Sequence, residues 1–213
     1  MWFLISMAFA GPPPSAVESP PCLEASGTVR RHLRKNAASD QRERREHQYD
    51  GMAERDAVRL AYVHEQRAAQ RVCTAKDAHN AAVVLQHSLL SDDHHAAWAL
   101  FFSACERGVS DACPWVGLAW DRHLVSKGEP QWYGTQWVAR FDRDTQERLG
   151  MCLVALDGGA TDAERALAHR DPLSEVVARN YAMNEQEAPK DLSLQALEEA
   201  GWVCEPAPWK EGS

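Results

Sequence analysis

Four short runs hold most of the side chains able to do chemistry: Asp40-Gln41-x-x-Arg44, Gln86-His87, Asp121-Arg122, and the loop Gly128-Glu129-Pro130-Gln131-Trp132-Tyr133-Gly134-Thr135-Gln136. His87 has an intrinsic pKa near neutrality, which suits a general acid or base, and Asp121 or Asp40 is the carboxylate able to orient it. Arg44 and Arg122 carry planar guanidinium groups that grip a carboxylate or phosphate in a two-pronged way. Gln41, Gln86, Gln131 and Gln136 add amides, while Tyr133 and Thr135 add hydroxyls. The expected site therefore has His87 and Asp121 for proton transfer. Asp40, Gln41, Arg44, Gln86, Arg122, Gln131, Tyr133, Thr135 and Gln136 would bind a small anionic or amide-bearing molecule.

The same groups also suit a second arrangement, a buried hydrogen-bond network that fixes several helices against the loop within a disulfide-braced structural or interaction module. The set holds no Ser or Cys nucleophile, and the chain has no Gly-rich phosphate loop, H-E-x-x-H or G-x-S-x-G. Whether the protein is an enzyme is left open at this level. His79, His87, Asp92, Asp93, His94 and His95 crowd together, but His87 closes one expected helix while His94 and His95 open the next. Adjacent histidines rarely bind one ion, so neither a metal nor a cofactor is expected.

These residues need a scaffold, and 213 residues suffice for one domain with a core plus tails. A net charge of -8 argues against nucleic acid or an anionic membrane as partner. The basic cluster Arg30, Arg31, Arg34, Lys35, Arg42, Arg44 and Arg45 is offset by Asp40, Glu43 and Glu46 and reads as a solvated helix face. Residues 1–10 are apolar apart from Ser6 and end in Ala8-Phe9-Ala10, the small-x-small form of a signal-peptidase site. The run is short and lacks a basic residue, yet it reads as a signal peptide and is too short to anchor stably in a bilayer. Cys22, Cys73, Cys105, Cys113, Cys152 and Cys204 form an even set without a C-x-x-C pair, which suits disulfides in an oxidising compartment. Cys105 and Cys113 flank a helix corner and are the first pair expected to bridge. Export to the periplasm or exterior follows as the expectation.

Periodicity predicts a mainly α fold, a bundle of five to seven helices with one small hairpin after the Gly128–Gln136 loop. Residues 11–27 read as a Pro-rich disordered linker, 28–182 as the helical domain and 183–213 as a polar tail with a last amphipathic turn near Leu194 to Glu199. Helices are expected over 28–48, 53–72, 76–90, 92–107, 110–128, 161–168 and 171–181. Val58, Ala61, Tyr62, Glu65, Ala68, Ala69 and Val72 mark the buried face of the second, and 76–90 is the central helix, with Gln86 and His87 inside it. Ser91 is the expected N-cap of the fourth, and Gly108 and Gly128 are expected helix stops. Trp137–Phe141 and Met151–Leu156 read as the hairpin strands around a polar turn, with Asp157-Gly158-Gly159 ending it.

The order D-Q-x-x-R, Q-H, D-R and G-x-P-Q-x-Y-G-T-Q over roughly residues 33–181 resembles the bacterial domain-of-unknown-function family 6624. The loop is the most specific element of that resemblance. Where a G-W-P stretch would precede the central helix, this chain reads Ala69-Gln70-Arg71-Val72-Cys73-Thr74-Ala75-Lys76. The resemblance implies a shared fold and a shared pocket and names no reaction or ligand. Ser103 to Gly117 is also similar to one Sel1-type helical repeat, but a solenoid needs several such units.

Overall fold

The computed structural model describes residues 26–141, 148–156, 160–168 and 170–183, with Pro13, Pro14, Cys22, Leu23, Leu197, Val203 and Cys204. The expected signal peptide, most of the linker, the hairpin turn and the Asp157-Gly158-Gly159 stop lie outside the described residues. Helices α1 (Gly27–Arg45), α2 (Met52–Ala68), α3 (Ala75–Leu85), α4 (Ser91–Glu106) and α5 (Cys113–Ser126) form a bundle, and a short 3-10 turn, Ser110–Ala112, precedes α5. Strands β1 (Trp137–Phe141), β2 (Arg148–Val154) and β3 (Val203–Cys204) form a small sheet flanked by α6 (Asp162–Leu167) and α7 (Leu173–Met183). No described helix is long and apolar enough to cross a membrane.

Helix α1 begins at Ser26, whose hydroxyl accepts from the Val29 N–H. Its buried stripe runs Val29, Leu33, Ala37, Asp40, Glu43, so one face changes from aliphatic to acidic along its length. Helix α2 meets that acidic end with Arg59, and its buried residues are Arg59, Val63 and Gln66. The face expected from periodicity is therefore out of phase over most of its length: Val58 is 72% exposed, and Ala61, Glu65 and Ala68 also face water, while Tyr62 packs against the core and Val72, beyond the helix end, is buried. Apolar spacing misled because ion pairs rather than aliphatic contacts bury this side of α2.

Helix α3 opens with a capping box between Thr74 and Asp77, in which Thr74 Oγ1 accepts from the Asp77 N–H at 3.1 Å and Asp77 Oδ2 from the Thr74 N–H at 3.0 Å. Its Ala78, Ala81, Ala82, Val83, Val84 and Leu85 are all buried, and it packs on α1, α2 and α4, as a central helix must. It ends at Leu85, so Gln86 and His87 sit in the turn beyond it rather than within it. The tight bonds His87 N–H to Val84 O and Ser88 N–H to Leu85 O wind down the last turn. Leu90, not Ser91, occupies the N-cap position of α4, and the hydroxyl facing this turn is that of Ser88, which accepts from the Leu90 N–H.

Helices α4 and α5 pack antiparallel around Trp98 and Trp120, with ring centroids 5.0 Å apart, and Phe101 stacked on Trp115. Gly108 supplies the left-handed turn (φ 87°) that closes α4, and Cys105–Cys113 bridges the corner as expected. In the sheet, β1 and β2 run antiparallel with Trp137 opposite Leu153, and β3 adds parallel to β2. The second strand is Arg148–Val154 rather than Met151–Leu156, and Leu156 forms an isolated parallel bridge with Gln131. Strand β3 and the buried Leu197, which packs beside Val177, belong to the segment that composition alone reads as a polar tail.

The remaining bridges are Cys22–Cys73, which ties a linker cysteine to the turn before α3, and Cys152–Cys204, which fastens β3 to β2. Loop-closure entropy scales with the span enclosed, 51 residues for Cys22–Cys73 and 8 for Cys105–Cys113. Replacing the first pair by Ser is expected to cost about 4 kcal/mol and the second about 2.5 kcal/mol. Urea unfolding of the two double variants under non-reducing conditions checks the order.

Candidate functional site

The chemistry of a loop-binding carboxylate is visible at Asp121. This residue is completely buried in α5, and its carboxylate accepts four hydrogen bonds from one loop. Oδ1 takes the N–H groups of Trp132 and Tyr133, both at 2.8 Å, and Oδ2 takes the Thr135 N–H at 2.9 Å and its hydroxyl at 2.8 Å. Burial raises the Asp121 pKa, and these hydrogen bonds offset only part of that rise. Gln131, also fully buried, closes the loop on itself: its amide donates to Gln136 O (3.0 Å) and to Val154 O (2.6 Å) and accepts from the Gln136 N–H (2.7 Å). Gly134 has φ 70°, and a Cβ there would stand 2.8 Å from Leu173 Cδ1, so both its conformation and its space call for glycine. The Tyr133 ring packs against Gly117, where a Cβ would meet it at 3.1 Å, and burial raises the phenol to about 12.

A second cluster lies where α1, the turn after α3, and α5 meet. Asp40, 1% exposed, accepts from Arg44 Nε at 3.2 Å and from Gln41 Nε2 at 2.9 Å, and its Oδ2 lies 3.4 Å from His87 Nε2. Gln41 Nε2 is 3.2 Å from the same His87 nitrogen and Gln86 Nε2 is 3.4 Å from it. Arg122 donates to the Gln86 carbonyl at 2.8 Å, which brings α5 onto the end of α3, and to Gln136 Oε1 at 3.4 Å. The cluster opens to solvent, since the side chains of His87 and Arg44 are 18% and 25% exposed.

Behind it runs a chain of alternating charges that the sequence motifs do not contain. Arg44 pairs with Asp56 (2.6 Å), Asp56 with Arg59 (2.9 Å), Arg59 with Glu43, and Glu43 with Arg55 (2.9 Å). Hydrogen bonds from Arg59 and Arg55 hold Glu43 down at about 2. The signal in the sequence was Asp56-x-x-Arg59 at helical spacing. It becomes recognisable only once α2 is known to face α1 with that side.

The field at His87 follows from this arrangement. Burial is the main cause that lowers its pKa to about 2, and the positive charges of Arg44, Arg122 and Arg59 act in the same direction. Asp40 does not reverse this, because its carboxylate is already engaged by Arg44 and Gln41. His87 is therefore a neutral imidazole whose acceptor nitrogen can be supplied by an amide or ligand N–H. Burial likewise lowers Arg122 to about 10, helped by Arg44.

The structure thus divides the expected site residues. It brings Asp40, Gln41, Arg44, Gln86, His87 and Arg122 together, with the Gln136 amide oxygen accepting from Arg122. Asp121, Gln131, Tyr133 and Thr135 serve the loop, and among the described residues no hydrogen bond or ion pair joins Asp121 to His87; the carboxylate beside His87 is Asp40. Two described cavities lie nearby. One of about 600 Å³ is lined by Glu43, His47, Gln48, Tyr49, Asp50 and Arg55, and one of about 350 Å³ by Asn36, Glu54, Arg55, Val58 and Arg59. Neither is lined by His87 or Arg122. No family model matches the chain, and no curated protein or solved structure matches it significantly.

Asp121→Ala leaves four loop donors without their acceptor and is expected to cost about 3 kcal/mol or more, read as a lower urea midpoint. For His87, the folded pKa of about 2 lies below the unfolded value near 6.5, so the unfolded chain binds the extra proton. Stability should fall as pH drops below about 6.5, by up to about 1.4 kcal/mol per pH unit from this group. Subtracting the pH dependence of His87→Gln isolates that slope from the contributions of Asp40 and His94.

Proposed function

We propose that the protein is an exported, disulfide-braced helical domain that binds a small anionic or amide-bearing molecule at the cluster where α1, α3 and α5 meet, with Arg122 as its anchor. The observation that carries this reading is the pairing of Arg122. Its described partners are the neutral Gln86 carbonyl and the Gln136 amide oxygen, and among the described residues it has no carboxylate partner. A largely buried cation held only by neutral groups retains much of its attraction for an anion. Gln86 Oε1 points the same way, because it is buried without a hydrogen-bond partner and would accept from a ligand N–H.

In this reading Arg122 grips the ligand's carboxylate, phosphate or carbonyl oxygen, while Gln41, Gln86 and neutral His87 fix its orientation. If the bound molecule reacts, His87 is the group that transfers the proton and Asp40 the carboxylate beside it. Three disulfides support export to an oxidising compartment. The order of the four motifs supports grouping the chain with domain-of-unknown-function family 6624.

One observation favours a second reading, a structural or interaction module. Asp121, Gln131 and Thr135 spend their hydrogen bonds on the loop itself. Thermal-shift titration with acetate, succinate, phosphate and glutamine separates the two. The binding reading expects a saturable rise in Tm with at least one of these, weakened tenfold or more in Arg122→Gln while that variant stays within about 1 kcal/mol of wild-type stability. Absence of any shift, with Arg122→Gln and His87→Gln each losing several kcal/mol, would establish the structural reading instead.

A further inference from the structure

A pair of imidazoles outside this cluster stands at a ring separation that suits a metal chelate. His95 is exposed on α4 and His123 is half-buried on α5, and their ring centroids lie 5.1 Å apart across the helix interface. They form the outer layer above the Trp98–Trp120 pair: His95 lies 5.2 Å from Trp98, and His123 lies 5.5 Å from Trp120. The neighbouring His94 points inward and is occupied, with Nε2 at 2.7 Å from Ser88 O and Nδ1 at 3.1 Å from Ser126 Oγ. The consecutive histidines thus have separate duties, one in the core and one at the surface.

We propose that His95 and His123 together hold a divalent transition-metal ion of borderline softness, copper(II) above the others and zinc next, in a site distinct from the Arg122 cluster. Three features carry it. The first is the span. A metal–nitrogen bond of about 2.0–2.1 Å puts the ion about 3.2 Å from each ring centre, so two imidazoles on one tetrahedral or square ion have centroids about 4.5–5.2 Å apart. The observed 5.1 Å falls in that range without movement of either helix.

The second is the tautomer. His123 Nδ1 lies 3.0 Å from the Ser91 carbonyl, and a carbonyl can only accept, so Nδ1 carries the proton and Nε2 keeps its lone pair. Metal-binding histidines are held in the same way, one ring N–H given to a backbone carbonyl and the other nitrogen left for the ion. The third is local charge. Lys127, the cation acting on His123, is tied to Glu129 at 2.6 Å, which limits its repulsion of an incoming ion. Among the described residues no three His, Cys, Asp or Glu side chains converge, so the protein supplies two ligands and water fills the remaining positions. An ion held by two side chains exchanges readily, and the Irving–Williams order puts copper(II) first.

The tryptophans supply the readout. Titrating tag-free protein with copper(II) while following tryptophan fluorescence should give saturable quenching at one ion per chain, and electron paramagnetic resonance should show two coordinated nitrogens. His95→Gln and His123→Gln should each weaken binding at least tenfold, and His47→Gln, in the exposed turn after α1, should bind as wild type. His95 is exposed, so its variant is expected to fold, and an unchanged Tm confirms it. Quenching that survives both substitutions at wild-type affinity, or that is lost equally in His47→Gln, overturns the site and leaves the imidazoles as packing over the tryptophans.

Discussion

A single enclosed carboxylate sets the geometry of this protein's middle. Asp121 has no exposed surface, and its oxygens bind Trp132, Tyr133 and Thr135 of the loop that leads into β1. A negative charge at zero exposure is sustainable only when hydrogen bonds and positive charges offset the loss of water. The loop supplies the first, and Arg165 and Arg170, both of which feel Asp121, supply the second. Arg165 is 1% exposed and two of its guanidinium nitrogens lack hydrogen-bond partners, so its long-range attraction to Asp121 is part of what keeps it inside. The requirement for glycine at 134 follows, because Leu173 and the Arg165 guanidinium close over that loop.

Consecutive residues on a helix point about 100° apart, and the Asp121-Arg122 pair uses that divergence. Asp121 turns toward the loop and sheet, while Arg122 turns toward α1 and the end of α3. Structural cohesion and ligand recognition therefore separate between neighbouring side chains. Gln136 joins them, since its amide oxygen accepts from Arg122 while its nitrogen donates to Thr135 Oγ1 and Leu118 O. A shift of the loop would thus be felt at Arg122 through one side chain.

Legibility in the sequence followed the type of force involved. Helices held by aliphatic burial were readable: the Ala- and Val-rich α3 and the Gly108 stop of α4 appear where composition puts them. The Asp40–Arg44 contact was readable because helical spacing alone brings the two within reach. The orientation of α2 was not, because Arg59 is buried by Glu43 and Asp56 from another turn and another helix, and no periodicity of apolar residues reports that. The role of Asp121 was hidden for a related reason. Three of the four groups that Asp121 accepts from are backbone N–H groups, which carry no signature in the sequence, and its one side-chain partner, Thr135, lies 14 residues away on another element. Strand β3 was missed because two residues paired in parallel with β2 and stapled by a disulfide need no strand-like composition.

The three covalent staples share a pattern of placement. Cys22–Cys73 and Cys105–Cys113 both lie on the helical side, and Cys152–Cys204 lies within the sheet. None crosses between them, so oxidation hardens each part while the seam around Asp121 keeps the compliance of non-covalent contacts. Under tension or partial denaturation the molecule would yield along that seam first, as two stiff pieces sharing a hydrogen-bonded hinge, and the amides of Trp132, Tyr133 and Thr135 would exchange with solvent before those of α3.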